Sequence, residues 1–124
     1  SGVQYPDGLT GQGLYQAKPG SPFTPGSEVA GKIVSVGKGV TRFKVGQRVV
    51  TYCSGGYAEL AVASEATCFA LPDGMDGADA CAMIIAWGTS HHALKQRANG
   101  RCNGHGGDSV RQGDGGNGDC CLFF

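Results

Sequence analysis

Between Pro25 and Leu71 the apolar residues come in short runs broken by glycine, proline and charge, a spacing that predicts β-strands rather than helices. The first run holds Val29, Ala30, Ile33, Val34 and Val36. Turn chemistry in "KPGSP" and "TPG" introduces it, and "GKGV" closes it with glycines suited to positive φ at a tight connection. A second strand is expected in "RFKVGQRVVTYC", after a turn at Gly46. "GGYAELAVASEATCFALP" reads as two more, with Ala58, Leu60 and Val62 alternating onto one face. Short strands at this rate indicate an all-β barrel or sandwich rather than a doubly wound sheet. The preceding "GVQYPDGLTGQGLYQ" has no steady period and is expected to be a loop.

The period changes at Pro72. In "LPDGMDGADACAMIIAWG" Asp76 is placed to cap a helix, with Asp79 three residues on completing an imperfect capping box. The apolar helix is expected to run to about Trp87, where Gly88 interrupts it before "TSHHALKQRA" resumes a helical composition. After Ala98 these signals stop. "NGRCNGHGGDSVRQGDGGNGDCCLFF" has neither period nor a run of helix formers, so it offers too little apolar area to offset its ordering entropy. Disorder, or order imposed only by packing on a neighbour, is expected there. The chain therefore divides into a mainly β domain with short C-terminal helices over 1–98 and a glycine-rich tail over 99–124.

Glu28 breaks the pattern, because it stands between a Pro-Gly turn and the first apolar run. A carboxylate in that place needs backbone N–H groups or an arginine, since an unpaired buried charge is expensive. Arg48 in "GQRV" is the candidate partner, and the two readings of Glu28 are an ion-paired brace and a direct catalytic group.

Composition narrows the function. A chain of 124 residues suits one domain. With zero formal charge and no basic run it offers no footprint for nucleic acid. No stretch approaches the roughly 18 apolar residues of a membrane span, and the N-terminus lacks a signal-peptide layout, so the expectation is a soluble, cytoplasmic protein. Cys121 lies four residues from the end, but "CLFF" has a poor aliphatic substitute in Phe123 and no polybasic stretch to assist a lipid anchor. Six cysteines make no C-x-x-C and no zinc-type Cys/His spacing. Buried free thiols are expected, with Cys53, Cys68 and Cys81 standing singly in apolar surroundings.

Six motifs in order, "GVQYPD", "GLYQ", "PFTPGSEVAGKIVSVGKGVTRFKVGQRV", "GGYAELAV", "LPDGM" and "WGTSHHAL", carry a family resemblance. Over residues 2 to 98 the chain resembles the N-terminal, GroES-like catalytic domain of the zinc-independent medium-chain dehydrogenase/reductases, most closely the NADPH:quinone oxidoreductase and zeta-crystallin group. The resemblance implies a partial GroES-like β-barrel that lacks its first strands, with no complete Rossmann domain. It also implies hydride transfer from NADPH to a quinone or related conjugated carbonyl. Glu28 matches an acidic position at the mouth of the barrel. Zinc-dependent relatives carry a histidine just before that glutamate and a four-cysteine lobe further on. Here Ser27 takes the first place and the lobe is missing, so no metal is implied, and His91, His92 and His105 are read as surface or helix residues.

Site residues carry over one by one. Tyr15 matches a tyrosine lining the substrate cleft and is the candidate hydrogen-bond donor that polarises the acceptor in place of a metal; the other reading is a loop aromatic capping the barrel. Gln4, the second candidate catalytic residue, stands where relatives carry asparagine, keeping the amide at a longer reach. Thr89 matches a position near the nicotinamide and phosphates, with an N-cap hydroxyl as the other reading. The family continues beyond the place of Ala98 with a strand and a glycine-rich turn that meets the pyrophosphate at a helix N-terminus. "NGHGGD" and "GDGGNG" supply glycine without either flanking element, as a shifted reading frame or alternative splicing would produce. Two functions follow as expectations: the substrate-side domain of an NADPH-dependent quinone reductase, inactive as this isolated chain, or a non-enzymatic module that pairs with full-length reductase subunits. Relatives of this kind commonly dimerise, which leaves a homo-oligomer open.

Overall fold

The computed structural model describes residues 1–97 and, for residues 119–123, the backbone. Five strands form one sheet: β1 (Glu28–Val36), β2 (Arg48–Tyr52), β3 (Leu60–Ser64), β4 (Cys68–Ala70) and β5 (Asp119–Phe123). Their order is β3-β5-β1-β2-β4, and every neighbouring pair is antiparallel. Three α-helical segments accompany them: α1 (Tyr5–Gly11), α2 (Gly77–Ala82) and α3 (Gly88–His91). The architecture is strand-rich with short C-terminal helices, as the sequence predicts, its strands forming one open sheet, and the described residues include no complete Rossmann unit.

Alternation along β1 and β2 sorts side chains between two cores. On one face Val29, Ile33 and Val49 are almost completely buried and meet Cys53, Cys68, Ala61, Ala63 and Phe43. Removing each of the large aliphatics from water stabilises the fold by about 1.5–3 kcal/mol. On the other face Val50 packs with Ala80 and Cys81 of α2, joined by Ala30, Leu71 and Ile84. The β1–β2 connection uses Gly39 and Gly46 at φ 95° and 86°, a region that side chains with a Cβ avoid. Cys53, Cys68 and Cys81 are free and buried, as expected; the expectations for Cys102, Cys120, Cys121 and His105 fall outside the residues whose side chains are described.

In β3 the alternation is present, with Leu60 and Val62 sharing a face, but that face is the open one. Ala61 and Ala63 point into the core, at 5% and 2% exposure. Small residues suit this side because the sheet there already packs Val29 and Ile33 against them.

Two expectations need correction. The N-terminal stretch expected as a loop contains α1, which begins with Pro6 in its first turn and the Gln4 N–H donating to the Asp7 carboxylate at 2.9 Å. A pre-set proline φ and a satisfied N-terminal donor start a helix that its composition conceals. Gly88 does not interrupt the C-terminal helix: at φ −58° and ψ −45° it is helical, and the backbone continues through widened π-type turns at Met83–Trp87 and His92–Arg97. Thr89 consequently lies inside a helical run and caps nothing. In the tail, where disorder or order imposed only by packing on a neighbour is expected, Asp119–Phe123 form β5, whose backbone lies between β1 and β3 and supplies ladder bonds to both. The rest of that expectation lies outside the described residues.

Candidate functional site

Glu28 begins β1 with no solvent exposure. The pleat turns its side chain away from Val29 and Ile33 and towards the helical face, where two neutral donors meet it. Its Oε1 accepts from the Ile85 backbone N–H at 2.9 Å, and its Oε2 accepts from Gln4 Nε2 at 2.7 Å. Ile85 lies within the π-type widening of the helix, so the widened turn presents its N–H to the strand. Arg48 is not the partner: its guanidinium donates to the Met75 carbonyl at 2.6 Å. Of the alternatives open in the sequence, a backbone N–H rather than arginine meets one oxygen, and the Gln4 side-chain amide meets the other. Among the described residues no buried side-chain polar atom lacks a hydrogen bond.

The chain entering α1 is pinned at the same point. Gly2 N–H and Ser1 Oγ both donate to the Glu28 carbonyl, at 3.0 and 2.9 Å. A Cβ on Gly2 would run into Glu28 Oε2, so only glycine fits this close approach. A hollow of about 410 Å³ opens here between the first residues and α2, bordered by Gln4, Glu28 and Cys81. Burial pushes the Cys81 thiol up from its usual value, keeping it neutral.

The larger cleft, about 770 Å³, borders α1 itself. Pro6, Asp7 and Thr10 of α1 form one wall. The Pro25–Ser27 turn forms the floor, together with Ser54 and Gly55. Tyr15, Phe23 and Tyr52 supply aromatic surface, Lys18 a cation, and Ile85 an apolar contact from the helix that Glu28 holds. The floor is knitted by the backbone: Gly56 N–H donates to the Gly26 carbonyl, Tyr57 N–H to that of Pro25, and Cys53 N–H to that of Ser27, each at 3.0 Å. Behind it the Tyr57 hydroxyl donates to Asp7 Oδ2 at 2.8 Å. Burial and the adjoining carboxylate push the Tyr57 phenol above its ordinary value, so it remains a donor.

The three residues singled out in the sequence do not converge. Tyr15 lines the cleft. Gln4 faces Glu28 and the smaller hollow. Thr89 is exposed on α3, outside both. His91 and His92 are exposed on the same helical run, and His92 Nδ1 lies 2.6 Å from Gln96 Oε1. Sequence reasoning missed Asp7, Tyr52 and Tyr57.

The chain thus presents an open antiparallel sheet with a helix laid on one face and a cleft bordered by a short N-terminal helix. Residues 1–73 match the alcohol dehydrogenase GroES-like domain, and the chain belongs to that family, within the medium-chain dehydrogenase/reductases. It is 44% identical over 100 residues to the quinone oxidoreductase of Rattus norvegicus, covering 79% of this chain and 29% of that protein. To the quinone oxidoreductase of Pseudomonas aeruginosa it is 43% identical over 97 residues, covering 77% of this chain and 30% of that one. A crystal structure of a probable oxidoreductase from Mycobacterium abscessus superposes with a TM-score of 0.68 at 37% identity, covering 73% of this chain and 29% of its own. The chain thus spans less than a third of the length of these relatives.

Proposed function

We propose that this chain forms the acceptor side of an NADPH-dependent quinone reductase, binding a quinone or similar conjugated carbonyl in the 770 Å³ cleft. The observation that carries this reading is the lining of that cleft. Tyr15, Tyr52 and Phe23 offer flat apolar surface for a planar ring, and the two tyrosines add hydroxyl donors. The relatives named quinone oxidoreductases support the same substrate class.

A quinone is already electrophilic. A hydrogen bond to its carbonyl oxygen increases that character and stabilises the negative charge that develops there when a hydride is accepted. Tyr15 is the donor in this reading, and no metal is required. Ser27, on the floor of the cleft immediately before Glu28, brings a hydroxyl where zinc-dependent relatives bring an imidazole. Glu28 acts through others: by fixing the Ile85 N–H and the Gln4 amide it sets the helix on one side of the cleft and the root of α1 on the other.

The described residues do not fit the dinucleotide. Binding its pyrophosphate needs a strand, a glycine-rich turn and a free helix N-terminus in succession. The start of α2 is instead occupied by Asp76, whose carboxylate accepts from the Ala78 N–H at 3.1 Å. NADPH is the hydride source of the reaction class, and Thr89 is the residue of this chain proposed to lie nearest to it.

Titration of the purified 124-residue chain with duroquinone, followed by tyrosine and tryptophan fluorescence, tests the reading. Saturable binding at one site without NADPH oxidation is expected. Failure to bind overturns the acceptor assignment, and turnover free of contaminating reductase overturns the restriction to the acceptor side.

A further inference from the structure

We infer that the hydrogen bond between Tyr57 and Asp7 is a latch that sets the width of the cleft and so selects acceptors by size, with Tyr57 a positioning residue that stands outside the cleft it controls. This inference rests on the acceptor reading above. The observations behind it concern how α1 is held. The helix has seven residues and none of them is buried. Pro6, Asp7, Leu9 and Thr10 are only half-buried, so packing, which ordinarily fixes a short helix, holds this one weakly. Hydrogen bonds fix it. At its root the Gln4 amide is tied to Glu28, and along its body the Asp7 carboxylate accepts from Tyr57.

Tyr57 is itself rigidly mounted. Its N–H is bonded to the Pro25 carbonyl, and its ring lies so close over Gly26 that a Cβ on that glycine would fall 2.6 Å from Tyr57 Cδ1. The latch therefore ties a mobile class of element, a short unburied helix, to the floor of the cleft through one charge-assisted hydrogen bond. Pro6, Asp7 and Thr10 form the wall that this bond holds, and Tyr15, Phe23 and Tyr52 are the aromatic surface opposed to it or adjoining it. With the bond made, α1 is fixed beside the aromatic surface and the cleft keeps its volume of about 770 Å³. With it broken, α1 is held only at its root, where Ser1, Gly2 and Gln4 bond to Glu28, and can swing outward, admitting larger acceptors while gripping small ones less well.

Two quinones without a free ring position for thiol addition serve as probes: duroquinone, with one ring, and 9,10-phenanthrenequinone, with three. In Tyr57→Phe, which keeps the ring over Gly26 and removes only the donor, duroquinone binding is expected to weaken by roughly tenfold, the scale of a hydrogen bond to a charged acceptor. Phenanthrenequinone binding is expected to hold or tighten, which reverses the preference of the unaltered chain. Adding Tyr57→Phe to Asp7→Ala is expected to change the selectivity no further, because the two residues make one bond. Amide exchange at Gln12 and Leu14, just beyond α1, is expected to quicken in Tyr57→Phe while exchange at Val49 and Val50 stays as it was. An equal loss for both quinones, or unchanged selectivity, overturns size selection. Unchanged exchange overturns the latch itself. If the unaltered chain binds neither quinone, the acceptor reading fails and selection by size fails with it, while the exchange comparison still decides whether Tyr57 holds α1.

Discussion

Glu28 Oε2 lies 2.7 Å from Gln4 Nε2, joining the first residue of a central strand to the residue that opens α1. The carboxylate is fully enclosed, and its other oxygen takes the Ile85 N–H. Glu28→Gln places an NH₂ group against one of these two donors, leaving both unpaired at that point. The expected loss is about 1–3 kcal/mol of unfolding free energy, measured by urea titration. Gln4→Ala leaves Oε2 without its donor and is expected to cost a similar amount; an unchanged urea midpoint in both variants refutes the brace.

Gly26 has φ 94° and a Tyr57 ring where its Cβ would stand. Gly26→Ala combines backbone strain with displacement of that ring and is expected to destabilise the chain by about 1–3 kcal/mol. Gly8→Ala is the contrasting case, since Gly8 lies in α1 with open space around its Cβ direction. There the gain in helix propensity should stabilise by about 0.5–1 kcal/mol. Equal midpoints for the two variants contradict the contrast.

Burial pushes the Cys53 thiol from 9.0 up to about 11, with neighbouring Cys68 adding to the effect. The folded chain therefore keeps a proton that the unfolded chain releases. Its contribution to stability is complete below pH 9 and is lost as pH rises from 9 towards 11, at up to about 1.4 kcal/mol per pH unit. Chemical denaturation at half-unit intervals across that window should show the decline. Cys53→Ala should flatten part of it; a slope identical to that of the unaltered chain removes Cys53 from the account.

Tyr15→Phe keeps the ring on the cleft and removes the hydroxyl. Duroquinone binding is expected to weaken by roughly three- to tenfold, the range of one neutral hydrogen bond. Tyr15→Ala should weaken it further by removing the stacking surface. Equal affinity for the Phe variant and the unaltered chain shows that another group polarises the carbonyl.

The strands were legible because alternation and turn glycines are local signals: Val29 and Ile33 pointed to β1, and Asp76 does cap α2 as its spacing predicts. α1 was hidden because it buries nothing and so leaves no apolar period to read. Gly88 was misread because glycine's freedom lets it leave a helix without obliging it to, and helical neighbours on both sides hold it in place. Arg48 was matched to Glu28 by charge, but geometry gave the guanidinium to a carbonyl. Tyr15 was legible through resemblance to relatives. The bond from Tyr57 to Asp7 spans fifty positions, and nothing local in "GGYAEL" or "PDG" announces it.

Among the described residues β3 is hydrogen-bonded into its sheet only through β5, in pairings such as Leu60 with Phe123 and Ala63 with Cys120. β1, β2 and β4 can zip together among neighbours close in sequence, but β3 must wait for a distant segment to arrive. Contacts of such long range slow folding. The alanines that finish the main core should accordingly be the last to gain protection during refolding, and the first to lose it when Asp119–Phe123 peel away.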